Sequence, residues 1–266
     1  MLKFAKLKKI LRELKSVVIA FSGGLDSTFL LKVAVDTLGK DKVIAVIARS
    51  ETYPEWEYKE ALGLSKKIGA KCVTIHTKEL AIKNFKDNPV NRCYYCKKEL
   101  FKSLHRIKEL RGFTHLIDGA NFDDLKDVRY GMKAARELGV RSPLLEARVT
   151  KGEIRRHSKR LKLPTWDKPS FACLASRFPF NNRITKRALS VIDAAESSMR
   201  EMGFRQVRVR KHGDIARIEI FREDFPRLLK RDPGALIRRL KKLGFKYVSL
   251  DLEGYRTGSM HEAIKN

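Results

Sequence analysis

Phe21-Ser-Gly-Gly-Leu-Asp-Ser-Thr28 decides how this chain is read. A short apolar, β-branched run, Val17-Val-Ile-Ala-Phe21, leads into it, and an amphipathic segment, Leu25 to Leu38, leads out. Strand, glycine turn and helix in that order make a place to hold an anion. Gly23 and Gly24 are expected to adopt backbone angles closed to other residues and to let the chain approach a ligand closely. The free N–H groups of the first helical turn then face the ligand, and the helix dipole favours negative charge. Ser22, Ser27 and Thr28 add hydroxyls. The stretch lacks the lysine of a Walker A loop and the third glycine of a dinucleotide fingerprint, so it is a different kind of phosphate loop.

Outward from this turn, apolar periodicity alternates between strand and helix. Leu2, Leu7, Ile10, Leu11 and Leu14 fall at helical spacing. Val43-Ile-Ala-Val-Ile-Ala48 is an unbroken apolar run, as a strand buried on both faces requires. A helix over 55–68, a strand over 71–76, a helix over 94–110 and a strand over 115–119 continue the pattern. The predicted fold is α/β, a doubly wound parallel sheet with a smaller C-terminal α+β domain. Ligands in such sheets lie at the carboxyl ends of the strands. The turn at 22–27, the loop 49–54 and the loop 119–124 all lie there.

The alternation stops after residue 163. Leu163 to Phe180 contains three prolines and no clear period, which predicts a functional loop at a domain junction. The expected division is 1–165 for the nucleotide domain, 166–182 for the active-site loop and junction, and 183–266 for the small domain. In the last of these, Gln206–His212 and Asp214–Phe221 alternate around Gly213 as a hairpin. Arg208 and Arg210, two apart, share one face of its first strand. Glu196 on the preceding helix reads as a surface salt bridge.

The charge balance is strongly basic: +27 formal, in 266 residues. That suits a polyanionic partner or nucleotide, or a surface built for high temperature. Gln206 is the sole glutamine, in keeping with the second. No apolar stretch is long enough to span a membrane, and the basic N-terminus lacks the apolar core of an export signal, so a cytoplasmic protein is expected. Four cysteines occur. Cys72 lies in a predicted strand and reads as a small core residue. Cys93 and Cys96 form a C-x-x-C at a loop-to-helix boundary beside Arg92, Lys97 and Lys98, a setting that favours thiolates. Cys173 sits in the irregular loop. No second C-x-x-C completes a zinc site. A redox pair remains open, as does a three-thiolate iron–sulfur cluster with one iron uncovered.

Ser22-Gly-Gly-Leu-Asp-Ser27 resembles the signature of the PP-loop ATP pyrophosphatases, which cleave ATP to AMP and pyrophosphate while adenylating a substrate oxygen. Over nearly its whole length the chain resembles the LarE-type ATP-dependent sulfur transferases, which build the nickel-pincer nucleotide cofactor. The resemblance rests on that loop, on Arg92-Cys-Tyr-Tyr-Cys-Lys97, on Asp118-Gly-Ala-Asn-Phe-Asp-Asp124 and on Met132–Pro143. It continues in Lys168-Pro-Ser-Phe-Ala-Cys-Leu-Ala-Ser-Arg177 and Gly213–Glu219. The chain departs from the family at Tyr130, where a proline is usual, and at Phe180-Asn-Asn182, where Tyr-Gly is usual.

The resemblance implies a substrate, pyridinium-3,5-biscarboxylic acid mononucleotide, whose carboxylate is adenylated by ATP and then converted to a thiocarboxylate. It implies that Ser22, Gly23, Gly24, Asp26 and Ser27 hold pyrophosphate, and that Arg49, Ser50, Gly119, Asn121 and Asp124 complete the ATP site. Mg²⁺ would sit near Asp26 or Asp124. Arg177, Arg208 and Arg210 would bind the substrate phosphate. Cys93, Cys96 and Cys173 resemble the three-cysteine members, thought to hold a 4Fe-4S cluster that carries sulfide. In single-cysteine members the residue corresponding to Cys173 surrenders its own sulfur. A closed homo-oligomer and contact with the cofactor's other assembly proteins are also implied. A tRNA thiolation enzyme of the same superfamily, a non-catalytic nucleotide- or RNA-binding protein and an NAD-type amide synthetase are the competing readings.

Overall fold

The computed structural model describes residues 2–126, 130–170, 172–230, 233–256 and 258–262. The chain divides into two compact units, Met1–Glu79 with Asn91–Phe171, and Leu80–Val90 with Ala172–Asn266.

The first unit runs α1 (Leu2–Leu14), β1 (Val17–Ala20), α2 (Leu25–Leu38), β2 (Val43–Arg49), α3 (Glu55–Ile68) and β3 (Lys71–His76). After Lys83–Lys86 (α4), which belongs to the second unit, it resumes with α5 (Arg92–Leu110), β4 (His115–Ile117), α6 (Tyr130–Glu137), α7 (Pro143–Glu146) and α8 (Lys151–Arg160). The sheet is parallel, in the order β3-β2-β1-β4. Its side chains alternate between two cores. Val17 and Ile19 of β1, with Val43, Ala45 and Ile47 of β2, pack with Leu7 and Leu11 of α1, Phe29 and Leu30 of α2 and Ile154 of α8. Val18, Ile44 and Val46 face the other way, onto Phe101 and Leu104 of α5 and Ala135 of α6. Burial on both faces is why β1 and β2 read as continuous apolar runs, and each such side chain contributes about 1.5–3 kcal/mol. The winding reverses between β1 and β4, and the turn after β1 opens at that crevice.

The second unit contains α4, α9 (Lys186–Glu201), β5 (Val207–His212), β6 (Ile215–Ile220), α10 (Phe225–Lys230), α11 (Pro233–Lys242), β7 (Tyr247–Leu250) and α12 (Ser259–Glu262). Thr185 caps α9 by accepting from the Ala188 N–H at 3.1 Å. β5 and β6 form the expected antiparallel hairpin, turning at Gly213 with φ +58°. β7 joins beside β6 in parallel, a pairing that strand periodicity alone does not specify.

One boundary differs from the sequence expectation. Residues 80–90, expected within the nucleotide domain, group with the second unit. Asn88 makes the tie. It is fully buried, and its Nδ2 donates to the Pro179 carbonyl at 2.7 Å. Its own carbonyl accepts from the Asn181 N–H at 2.9 Å, and the Lys86 carbonyl accepts from the Ile184 N–H at 2.8 Å. Asn181 has φ +63°, a left-handed position that asparagine tolerates better than most side chains do. Replacing Asn88 by alanine removes a buried hydrogen bond and leaves the Pro179 carbonyl only its 3.2 Å bond from the Asn182 N–H, a loss of about 1–3 kcal/mol. Hydrogen exchange should then speed up at residues 178–184 and stay unchanged in the four-stranded sheet.

Candidate active site

The turn after β1 is built around Gly23. Its φ is +63°, and a Cβ there would lie 2.7 Å from the Ala61 Cβ of α3. Gly23 is therefore fixed twice, by conformation and by space. Gly24 is not: its φ is −77° and an added Cβ would make ordinary contact, so the expectation of an unusual angle there is corrected. Behind the turn, Ser27 Oγ donates to the Gly24 carbonyl at 3.3 Å and lies 3.2 Å from Ser22 Oγ. The Thr28 N–H bonds back to the Gly24 carbonyl at 3.0 Å, closing the first turn of α2. Among the described residues, no acceptor takes the N–H groups of Gly23, Gly24 or Leu25. Three successive open donors at a helix N-terminus, with Ser22 exposed beside them and Asp26 in the first turn, form an anion cradle.

Two side chains without a role in the sequence reading bond the carbonyls of the turn. Tyr53 Oη donates to the Ser22 carbonyl at 2.8 Å. Lys168 Nζ donates to the Gly23 carbonyl at 3.2 Å and pairs with Glu57 at 2.8 Å and Glu60 at 3.0 Å. Glu57 is buried, and Lys168 stands over the Trp56 ring at 5.8 Å. Burial, with Glu57 and Glu60 adding, pushes the Tyr53 phenol well above its ordinary pKa, so it remains a donor. Lys168 opens the Lys168–Arg177 segment, and only the fold brings it to Gly23.

Neighbouring strands bring the other expected ATP residues to the same sheet edge. Gly119 follows β4, and a Cβ on it would lie 3.1 Å from the Ser27 N, so glycine permits this approach to α2. Asp118 accepts from Ser142 Oγ at 2.7 Å. Asn121 is fully buried. Its Oδ1 accepts from the Asp123 N–H at 2.9 Å, and its Nδ2 meets no acceptor among the described residues. Asp124 is buried and accepts from the Asn121 N–H at 3.1 Å. Arg49 ends β2, paired with Glu55 at 2.8 Å and lying over the Tyr58 ring. Ser50 Oγ is 3.0 Å from Thr52 Oγ1.

Cys93 is exposed and Cys96 half-buried, three residues apart in the first turn and a half of α5. That spacing sets both thiols on one helix face, as two ligands of one metal group require. Arg92, beside them, is buried. Cys72 packs against the core from β3, and burial raises its thiol pKa. Within either unit, among the described residues, no group of three His, Cys, Asp or Glu side chains is poised for a metal ion.

Cys173 heads a short turn, Leu174–Arg177, in the second unit. Arg177 organises this turn from inside. Its Nη1 donates to the carbonyls of Ala172 and Cys173, at 2.7 and 3.2 Å, and to Ser176 Oγ at 2.7 Å. Its Nε and Nη2 clasp both oxygens of Glu196, at 2.6 and 3.0 Å. Both side chains are fully buried. One expectation is thereby corrected: Glu196 is no surface ion-pair residue. Arg177, expected on the substrate phosphate, shapes the cysteine turn here. Arg208 and Arg210 do share a face of β5, and both are buried. Arg210 clasps Glu219 at 3.0 and 2.8 Å and donates to the Ser176 carbonyl at 2.7 Å. Arg208 lies over the Tyr255 ring, and burial together with the Arg177 charge lowers its pKa.

Glu196 also accepts from the Val209 N–H at 3.0 Å. Burial by itself raises its pKa; the charge and hydrogen bonds of Arg177, with Arg208 and the Val209 N–H, outweigh burial and hold it low. A depressed carboxyl pKa gives stability that is complete above the unfolded value near 4.3 and is lost as pH falls through the folded value. Glu196→Gln should cost about 3–5 kcal/mol at neutral pH, because it leaves Arg177 buried without its counter-charge. In urea unfolding, the gap between wild type and variant should narrow as pH falls below about 4.

A family model described as NAD synthase matches residues 4–110, the span from α1 through α5. An uncharacterized protein of Synechocystis sp. is 41% identical over 98% of both chains. The pyridinium-3,5-bisthiocarboxylic acid mononucleotide synthase of Lactiplantibacillus plantarum is 38% identical over 98% of this chain and 95% of its own. An uncharacterized protein of Methanocaldococcus jannaschii is 31% identical over 96% of this chain and 98% of its own. With the open-amide turn after β1 and likeness at this level along the full chain, the protein belongs to the LarE family of PP-loop ATP pyrophosphatases, the family of that synthase.

Proposed function

We propose that the protein uses ATP and Mg²⁺ to adenylate a carboxylate of pyridinium-3,5-biscarboxylic acid mononucleotide and then converts that carboxylate to a thiocarboxylate. The observation that carries this reading is the row of open N–H groups at Gly23, Gly24 and Leu25 after β1. A carboxylate is a poor electrophile until one oxygen becomes a phosphate leaving group. Its oxygen attacks the α-phosphorus of ATP, and the bond to the β-phosphate breaks. The departing pyrophosphate gains negative charge, which the three amides, the α2 dipole and the Ser22 hydroxyl would stabilise, with Ser27 holding the Gly24 carbonyl behind them. Asp26, in the first turn of α2, and Asp124 would hold Mg²⁺ on the phosphates. Arg49 and Ser50, with Gly119 and Asn121, would receive the rest of the nucleotide. A sulfur nucleophile then attacks the acyl carbon and AMP leaves.

For the sulfur, we infer that Cys93, Cys96 and Cys173 hold a 4Fe-4S cluster. The i, i+3 pair on α5 supplies two thiolates on one face, and Arg177 fixes the backbone that presents the third. Bound there, the cluster would supply an open iron that carries sulfide. Arg208 and Arg210 would take the substrate's phosphate, which would relieve the depressed pKa of Arg208.

Asp26→Ala and Ser27→Ala should each lower substrate-dependent AMP formation at least tenfold, about 1.4 kcal/mol in the barrier. Near-normal rates in both would remove the site from this loop. Intact mass after anaerobic turnover with ATP, substrate and sulfide distinguishes the sulfur sources. Retained mass with loss of activity in Cys93→Ala, Cys96→Ala and Cys173→Ala is the expected result. Loss of about 34 Da per chain, with full activity in Cys93→Ala, would assign the sulfur to Cys173 itself.

A further inference from the structure

The open amides of the cradle need an explanation, because a glycine turn is free to rotate its peptide planes. In a trans peptide the C=O and the following N–H point in opposite directions. Whatever holds the carbonyl of residue 22 also aims the N–H of residue 23, and likewise for 23 and 24. Both carbonyls are held from the outer side. The Ser22 carbonyl accepts from Tyr53 Oη at 2.8 Å and the Gly23 carbonyl from Lys168 Nζ at 3.2 Å. The next carbonyl, that of Gly24, is held within the turn by Ser27 Oγ and the Thr28 N–H.

We propose that Tyr53 and Lys168 are positioning residues of the pyrophosphate cradle, which turn the Gly23 and Gly24 N–H groups toward the anion by fixing the carbonyls behind them. This rests on the reading of the loop as a pyrophosphate site. Lys168 would otherwise be taken for a direct phosphate ligand, since a lysine beside a phosphate loop usually is one. Its geometry says otherwise. An ammonium has three protons, and Lys168 has three acceptors, the Gly23 carbonyl, Glu57 and Glu60. Its side chain is only 11% exposed, and Glu57 only 2%. The lysine therefore acts through the loop. Tyr53 is held in place by α3, where its hydroxyl also lies 3.3 Å from the Glu57 carbonyl.

The test is calorimetric binding of pyrophosphate and, separately, of AMP to the full chain. The variants are Tyr53→Phe, which deletes one hydroxyl, and Lys168→Met combined with Glu57→Gln, which avoids leaving a bare buried carboxylate. Each is expected to weaken pyrophosphate about fivefold or more and to leave AMP affinity within about twofold, since AMP lacks the departing phosphates. Lys168→Arg, which keeps the charge and a donor, should recover part of the loss. Equal loss of AMP and pyrophosphate would mark a general structural role and overturn the proposal. So would pyrophosphate binding that Asp26→Ala weakens and both positioning variants leave intact; that result would spare the loop assignment. Wild-type protein that binds no pyrophosphate would overturn the loop assignment and this inference with it.

Discussion

Everything at the candidate nucleotide site depends on one backbone constraint, the left-handed turn at Gly23 wedged against Ala61 of α3. That contact sets where the chain leaves β1 and at what angle it enters α2. A side chain at residue 23 would force the turn away from α3, and the hydrogen bonds of Tyr53 and Lys168 with the carbonyls behind it would go too. The constraint is steric and local, but it is possible only because β1 is buried on both faces and cannot shift. Val17, Val18 and Ile19 are fully buried, locked between the α1/α2 core and the α5 core. Rigidity is what makes the open amides useful. Donors that are already oriented gain their full interaction with a developing charge, because nothing has to reorganise when the phosphate leaves.

The second unit solves a different problem, that of holding a cysteine turn without a helix or strand to carry it. Arg177 reaches back to the carbonyls of residues 172 and 173 and forward to Glu196. Arg210 adds a bond to the Ser176 carbonyl from β5. Burying charges in this way is costly, and apolar replacements are often as stable. The carbonyl-binding pattern explains what the charges provide here: several charge-assisted hydrogen bonds that specify the backbone path around Cys173, beside the packing of buried Leu174 and Ala175.

Much of this was legible in the sequence, and for a physical reason. Elements buried on a continuous face declare themselves by periodicity, so Glu55–Ile68 and Lys71–His76 were expected at the bounds they have, and the phosphate turn by its residue types. What escaped was decided by partners distant in the chain. Glu196 looked like a surface residue because a lone glutamate on an amphipathic helix usually is one. Its partner lies 19 residues earlier in an irregular loop. Lys168 is 145 residues from the carbonyl it holds, and Tyr53 is 31 from its own. Residues 80–90 carry no compositional sign that Asn88 ties them to residues 178–181. The parallel pairing of β7 with β6 is likewise a matter of topology, not of local pattern.

Hydrogen exchange at the amides of residues 22–28, with and without a non-hydrolysable ATP analogue and Mg²⁺, tests the central claim most directly. The account predicts that bound nucleotide slows exchange at Gly23, Gly24 and Leu25, whose N–H groups have no acceptor among the described residues and would gain phosphate oxygens. It predicts little change at Thr28, whose N–H is already bonded to Gly24. Nucleotide binding that protects other regions and leaves these three amides exchanging as before would contradict it.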